Sequence, residues 1–196
     1  MIAGLDLRQM IVRTFREPRV VARELIALNL PPRARALALA IVIVVSAALG
    51  SFAEILFAFV TDLDLGEPTS PVPMALAQAA LILYGASAMT VLGRKFGGRG
   101  QFRDALLLLT WMEFVLIVAQ VVQVLVMVFF PVTSVIAMMA MMVLLFWLLV
   151  QFTAALHGFE NLAKVAFGVI VGFLVSAMVA GMLMVSLGFV PVPVTG

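Results

Sequence analysis

Five apolar stretches, each long enough to cross a bilayer, divide this chain, and its twelve Lys and Arg residues all fall in the gaps on one alternating side of them. Seven precede the first stretch (Arg8, Arg13, Arg16, Arg19, Arg23, Arg33, Arg35), four lie in the second gap (Arg94, Lys95, Arg99, Arg103), and Lys164 opens the fifth stretch. The remaining gaps hold no basic residue. Cytoplasmic loops of membrane proteins carry such an excess of Lys and Arg. The pattern therefore predicts an all-α integral membrane five-helix bundle, with the N-terminus cytoplasmic and the C-terminus outside.

Composition points the same way. The chain is 65% hydrophobic and 11% charged, whereas soluble domains run at roughly 45–50% apolar and about 25% charged. Lipid must be the solvent for most of these side chains. There is no cysteine, which excludes disulfides, thiolate metal sites and a Cys nucleophile. The single histidine, His157, cannot form a metal cluster alone. No metal and no cofactor is expected. The first apolar run is no signal peptide, because it continues past Ser46-Ala47-Ala48 to Val60, beyond the ~7–15 residues of a signal core.

Three segments result: a cytoplasmic arm over 1–33, a membrane domain over 34–190 and an outer tail over 191–196. The spans are expected at about 36–60, 74–92, 104–130, 132–156 and 165–189. The second is the shortest and is bounded by glycine, so a re-entrant helix is the alternative there. The third exceeds the ~30 Å hydrocarbon core, which places 101–107 along the interface before the chain turns inward. Asp62, Asp64, Glu67 and nearby prolines form an acidic outer loop. Gly93 to Gly100 is a flexible basic inner loop, without the GxxxxGK[ST] spacing of a phosphate loop.

The arm is amphipathic. At ~100° per residue, Leu7, Met10, Ile11, Phe15, Val21, Leu25 and Leu28 fall on one side of a helix and Arg8, Arg13, Arg16, Arg19 and Arg23 on the other. Such a helix lies in the headgroup plane and attracts anionic lipid. Packing on another cytosolic protein is the alternative. Pro18 splits the helix in two. Nothing in the pattern points to nucleic acid.

Glu54 and Glu113 are the acids inside the spans. A carboxylate at mid-membrane costs on the order of 2.5–3.5 kcal/mol, so both should face the bundle interior. Glu54 lies eight residues from Asp62 and Glu113 ten from Arg103, depths of about 12 and 15 Å from opposite surfaces. Gln78 and Gln120 reach the level of Glu54, and Gln151 approaches Glu113 from the inner side. Two readings remain open: a proton or cation path, or interhelical hydrogen bonds. The fifth span carries Gly168, Gly172, Ser176 and Ala180 at four-residue spacing, which lets another helix approach closely. A neighbour within the chain is favoured over self-association. The thirteen methionines read as packing side chains, and His157 as a cap or interface residue. Ser46, Ser51 and Ser87 have no base within their spans.

Three local pieces carry a resemblance to the Yip family, multi-pass proteins named for interaction with Ypt/Rab GTPases. They are Arg13-Thr14-Phe15-Arg16-Glu17-Pro18, the glycine-rich turn into Gly100-Gln101-Phe102-Arg103-Asp104-Ala105-Leu106, and the stretch from Gln151 to Ala166. Where similar members carry a proline in the third span, this chain has Trp111-Met112-Glu113. The resemblance implies a five-helix membrane domain with a cytosolic N-terminus and no catalytic residues. Eukaryotic relatives act in vesicle trafficking through partner binding. Arginine in excess of lysine points to a bacterial inner membrane. The expected function is non-enzymatic: organising membrane proteins, copies of itself or lipid at the cytoplasmic leaflet. The alternative is a small proton or cation transporter or channel using Glu54 and Glu113.

Overall fold

A computed structural model describes residues 6–62, 66, 69–130 and 133–186, and these form seven α-helices and no strand. They are α1 (Leu7–Arg16), α2 (Pro18–Ala27), α3 (Pro32–Thr61), α4 (Pro71–Lys95), α5 (Phe102–Phe129), α6 (Ser134–His157) and α7 (Leu162–Ser186). Asp6 starts α1 by accepting the amides of Arg8 (3.0 Å) and Gln9 (3.4 Å) on its carboxylate, which satisfies donors that the first turn leaves unpaired. Pro18 breaks the arm as expected and opens α2 at its first position. Gly158, in the left-handed region at φ 73°, ends α6, and Phe159 N–H closes the turn on Ala154 O at 2.9 Å.

The five long helices α3 to α7 are each long and apolar enough to cross a membrane. Their described bounds fall within a few residues of those expected. The second span is one continuous helix of 25 residues, about 37 Å long, and so has the length to cross rather than re-enter. The segment 101–107 is not a separate interfacial piece; α5 runs unbroken from Phe102. The end of the fifth span beyond Ser186, the tail 191–196, and Asp64, Glu67, Pro68 and Pro131 lie outside the described residues.

α5 is the central helix, packed against α2, α3, α4 and α6. Its Ala105, Leu108, Met112 and Val115 are buried, together with Ala86 of α4 and Leu148 and Phe152 of α6. The periphery is apolar instead of polar: Phe59, Leu76, Val143 and Phe167 are all exposed. An exterior of that kind needs lipid around it, and the protein is an integral membrane protein. Three threonine hydroxyls within the helices return to their own backbone, Thr90 to Ala86 O, Thr110 to Leu106 O and Thr153 to Leu149 O. Among the described residues no buried side-chain polar atom lacks a partner.

The helices alternate in direction, so the starts of α3, α5 and α7 and the ends of α4 and α6 share one end of the bundle. Arg35 Nη1 donates to Arg103 O (3.4 Å) and Arg19 Nη2 to Phe159 O (2.9 Å) across that end. All the Lys and Arg residues gather there. The arm lies against the same end, packing α2 on α6 and α5. Its apolar side is covered in part by its own chain: Val21 and Ala22 are fully buried, and Met10 and Leu25 nearly so, in one cluster with Leu108, Met112, Leu148 and Phe152, while Leu7, Phe15 and Leu28 stay exposed.

Candidate functional site

At the basic end, His157 is the last residue of α6, and Gly158 stops the helix just behind it. The ring enters a socket walled by Gly93, at the end of α4, and by Gly98 and Gly100 in the turn before α5. A methyl group on any of these three glycines would overlap the imidazole. Gly100 N–H donates to Nδ1 at 3.1 Å, and Nε2 lies 3.0 Å from Met89 O. A carbonyl can only accept, so Nε2 carries the proton and the socket holds the neutral Nε2–H tautomer. Phe159 stacks on the ring, with centroids 5.4 Å apart and planes at 20°. The basic turn, expected to be flexible, folds around a side chain from another helix while Arg94, Lys95 and Arg99 stay exposed.

The same loop anchors the arm. Phe159 offers its ring to His157 and its carbonyl to Arg19. A second tie comes from α5: Trp111 Nε1–H donates to Thr14 Oγ1 at 3.0 Å, and the hydroxyl of the fully buried Thr14 donates in turn to Met10 O at 2.8 Å. Within the arm, Arg13 grips Glu24 through both carboxylate oxygens, at 2.9 and 2.6 Å, closing α1 on α2. That hydrogen bond, and then the Glu24 charge, holds the Arg13 guanidinium above its ordinary range. Arg23 donates to Arg19 O at 3.1 Å. Arg8 and Arg16 are exposed, and Val12 and Phe15 between them and Leu7 next to Arg8 are exposed too.

Deeper in the bundle, Glu113 of α5 meets Gln78 of α4 and Ser46 of α3. Gln78 Nε2 donates to Glu113 Oε1, and Ser46 Oγ lies 2.9 Å from that oxygen and 3.2 Å from Gln78 Oε1. Glu54 is elsewhere: it accepts the amide and hydroxyl of Thr69, both at 3.2 Å, at the start of α4 opposite the basic end. The two acids therefore share no partner. Gln120 and Gln151 do not join the Glu113 cluster. The hollows at Asp6 to Arg13 and at Ala40 to Val45 touch neither acid. We expect Glu113→Ala to lower stability by about 1–2 kcal/mol, near the upper end for hydrogen bonds between membrane helices. Glu54→Gln should cost less, since the amide oxygen still accepts from Thr69. Thermal unfolding of the purified protein in detergent checks both.

On α7, a Cβ at Gly172 would come within 3.2 Å of Leu92 Cδ1 on α4, and Ser176 Oγ sits 2.5 Å from Tyr84 Oη. Gly168 has no neighbour within 4 Å of the space a Cβ would fill. The side chain of Ala180 lies outside the described residues. Sequence reasoning noted Ser46 as a serine without a base and Thr14 and Trp111 only within the family resemblance, and gave His157 no definite partner. Depth matching could have found Ser46, because it lies as far from the basic end along α3 as Glu113 does along α5.

A family model described as the Yip1 domain matches residues 12–184 of the chain. No curated protein and no solved structure matches it.

Proposed function

The chain belongs to the Yip1 domain family, and on that footing we propose that it is a non-enzymatic membrane protein whose arm presents a preformed surface to anionic lipid headgroups. The observation that carries this reading is the way α1 is docked. One side, through Met10 and Thr14, is buried in the protein, while Val12 and Phe15, between Arg8 and Arg16 in the sequence, and Leu7, next to Arg8, stay exposed. Apolar side chains flanked by arginine are what a helix needs to sit in the headgroup layer. Because the bundle already holds α1 in place, no ordering cost opposes lipid binding. We place the basic end on the cytoplasmic side of a bacterial inner membrane, supported by the gathering of Lys and Arg at that end. Transport through Glu54 and Glu113 has less support, since each acid is occupied by a separate hydrogen-bonding group.

The full-length protein in nanodiscs tests this. Amide exchange over residues 7–16 should slow when phosphatidylglycerol is added to phosphatidylcholine, and the gain should vanish at high salt. Basic residues at an anionic surface contribute about 1 kcal/mol each, so the double variant Arg8→Gln/Arg16→Gln should lose roughly tenfold or more of that protection. Equal exchange in the two lipids would rule the reading out.

A further inference from the structure

We infer that His157 is a proton-sensitive latch which joins the glycine turn, the α6–α7 connection and the arm, and which opens when the imidazole takes up a proton. The geometry selects one protonation state. Nε2–H faces the Met89 carbonyl and the bare Nδ1 faces the Gly100 amide. A proton arriving at Nδ1 sets N–H against N–H, so the cation cannot keep both bonds. Nor can the ring turn within the socket, because Gly93, Gly98 and Gly100 already touch it from three sides. The charged groups on the surrounding elements are Arg94 and Lys95 closing α4, Arg99 in the turn, Arg103 and Asp104 opening α5, Glu160 and Lys164 between α6 and the first turn of α7, and Arg19, Arg23 and Glu24 of α2. Burial of the ring disfavours its charged form first of all, and among these groups Arg94 adds a smaller opposition to a second positive charge. The imidazolium must therefore leave.

What it leaves behind sets the consequence. Phe159 loses its stacking partner, and the carbonyl held by Arg19 belongs to that same residue. The Gly100 amide loses its acceptor at the entrance to α5. Acidification at the basic end thus loosens residues 97–101 and 18–27 together. The direction follows from the neutral ring being the bound form: the latch is closed above the titration of the ring and lost as pH falls through it.

The test is hydrogen exchange of the full chain in phosphatidylcholine nanodiscs, with protection corrected for the intrinsic pH dependence of exchange. Measurements at about pH 8 and pH 5 bracket the window in which imidazole titrates. Protection of 97–101 and of 18–27 should both fall about tenfold or more at the lower pH, as expected for loss of buried hydrogen bonds. His157→Gln should abolish the pH dependence. Gly98→Ala, which excludes the ring at every pH, should show the acid pattern already at pH 8. Wild-type protection that ignores pH, an undiminished response in His157→Gln, or native protection in Gly98→Ala would each overturn the latch. So would a turn that loosens while 18–27 stays protected.

Discussion

Gly93→Ala should destabilise the protein by about 2–4 kcal/mol, the combined cost of overpacking and of broken buried hydrogen bonds. Helix propensity alone predicts the opposite, because alanine is better than glycine in a helix by about 1 kcal/mol. Packing wins over propensity here. A Cβ at Gly93 would overlap Nε2, Cδ2 and Cε1 of His157. The ring has no room to retreat, with Gly98 and Gly100 on its other sides and Phe159 stacked on it. α4 cannot shift away easily either, since it packs on α3 and α5. Eviction of the ring then gives up its bonds to Met89 O and to Gly100 N–H. Unfolding of the purified protein in detergent gives the magnitude, and a double-mutant cycle gives the cause. Once His157→Ala has emptied the socket, adding Gly93→Ala should cost little, so the pair should fall well short of additive. A Gly93→Ala protein as stable as its parent would show that the socket yields.

The contrast between this turn and the spans explains how much of the molecule was legible from residues alone. Membrane helices announce themselves, because each must satisfy its own backbone and cover it with apolar side chains over a fixed thickness. Pro18 likewise acts locally, through its missing N–H and its fixed φ, and the break between α1 and α2 falls where it stands. The glycines of the basic turn are different. Glycine serves both a flexible loop and a close approach, and only the arrival of His157, 57 residues away from Gly100, decides between them. Periodicity showed that the arm has an apolar side but could not say what covers it. Val21 and Leu25 would look the same buried in lipid or against Phe152. Ser46 is a single small hydroxyl in an apolar run, and its role appears only once α3, α4 and α5 are set side by side at a common depth.

Leu25→Asp should release the arm and leave the five long helices folded. Leu25 is 4% exposed in the cluster that seats α2. Losing its burial costs about 1.5–3 kcal/mol, and a carboxylate trapped there would cost several more. The ties that remain between arm and bundle include the Trp111–Thr14 and Arg19–Phe159 hydrogen bonds, each worth about 0.5–1.5 kcal/mol net. The Arg13–Glu24 pair adds nothing to that attachment, because both partners are in the arm and move with it. Undocking lets the aspartate reach water, whereas unfolding the bundle would forfeit the packing of α5 as well. The cheaper response is local. Trypsin should then cut at Arg13, Arg16, Arg19 and Arg23 on the order of a hundredfold faster, since cleavage tracks the population of the open form. The fragment beginning at Glu24 should keep its helical circular dichroism. Leu28→Asp, at a position already 39% exposed, should change cleavage little. If Leu25→Asp instead loses helicity throughout the chain, the arm and the bundle fold as one cooperative unit and the surface that α1 presents cannot be detached from it.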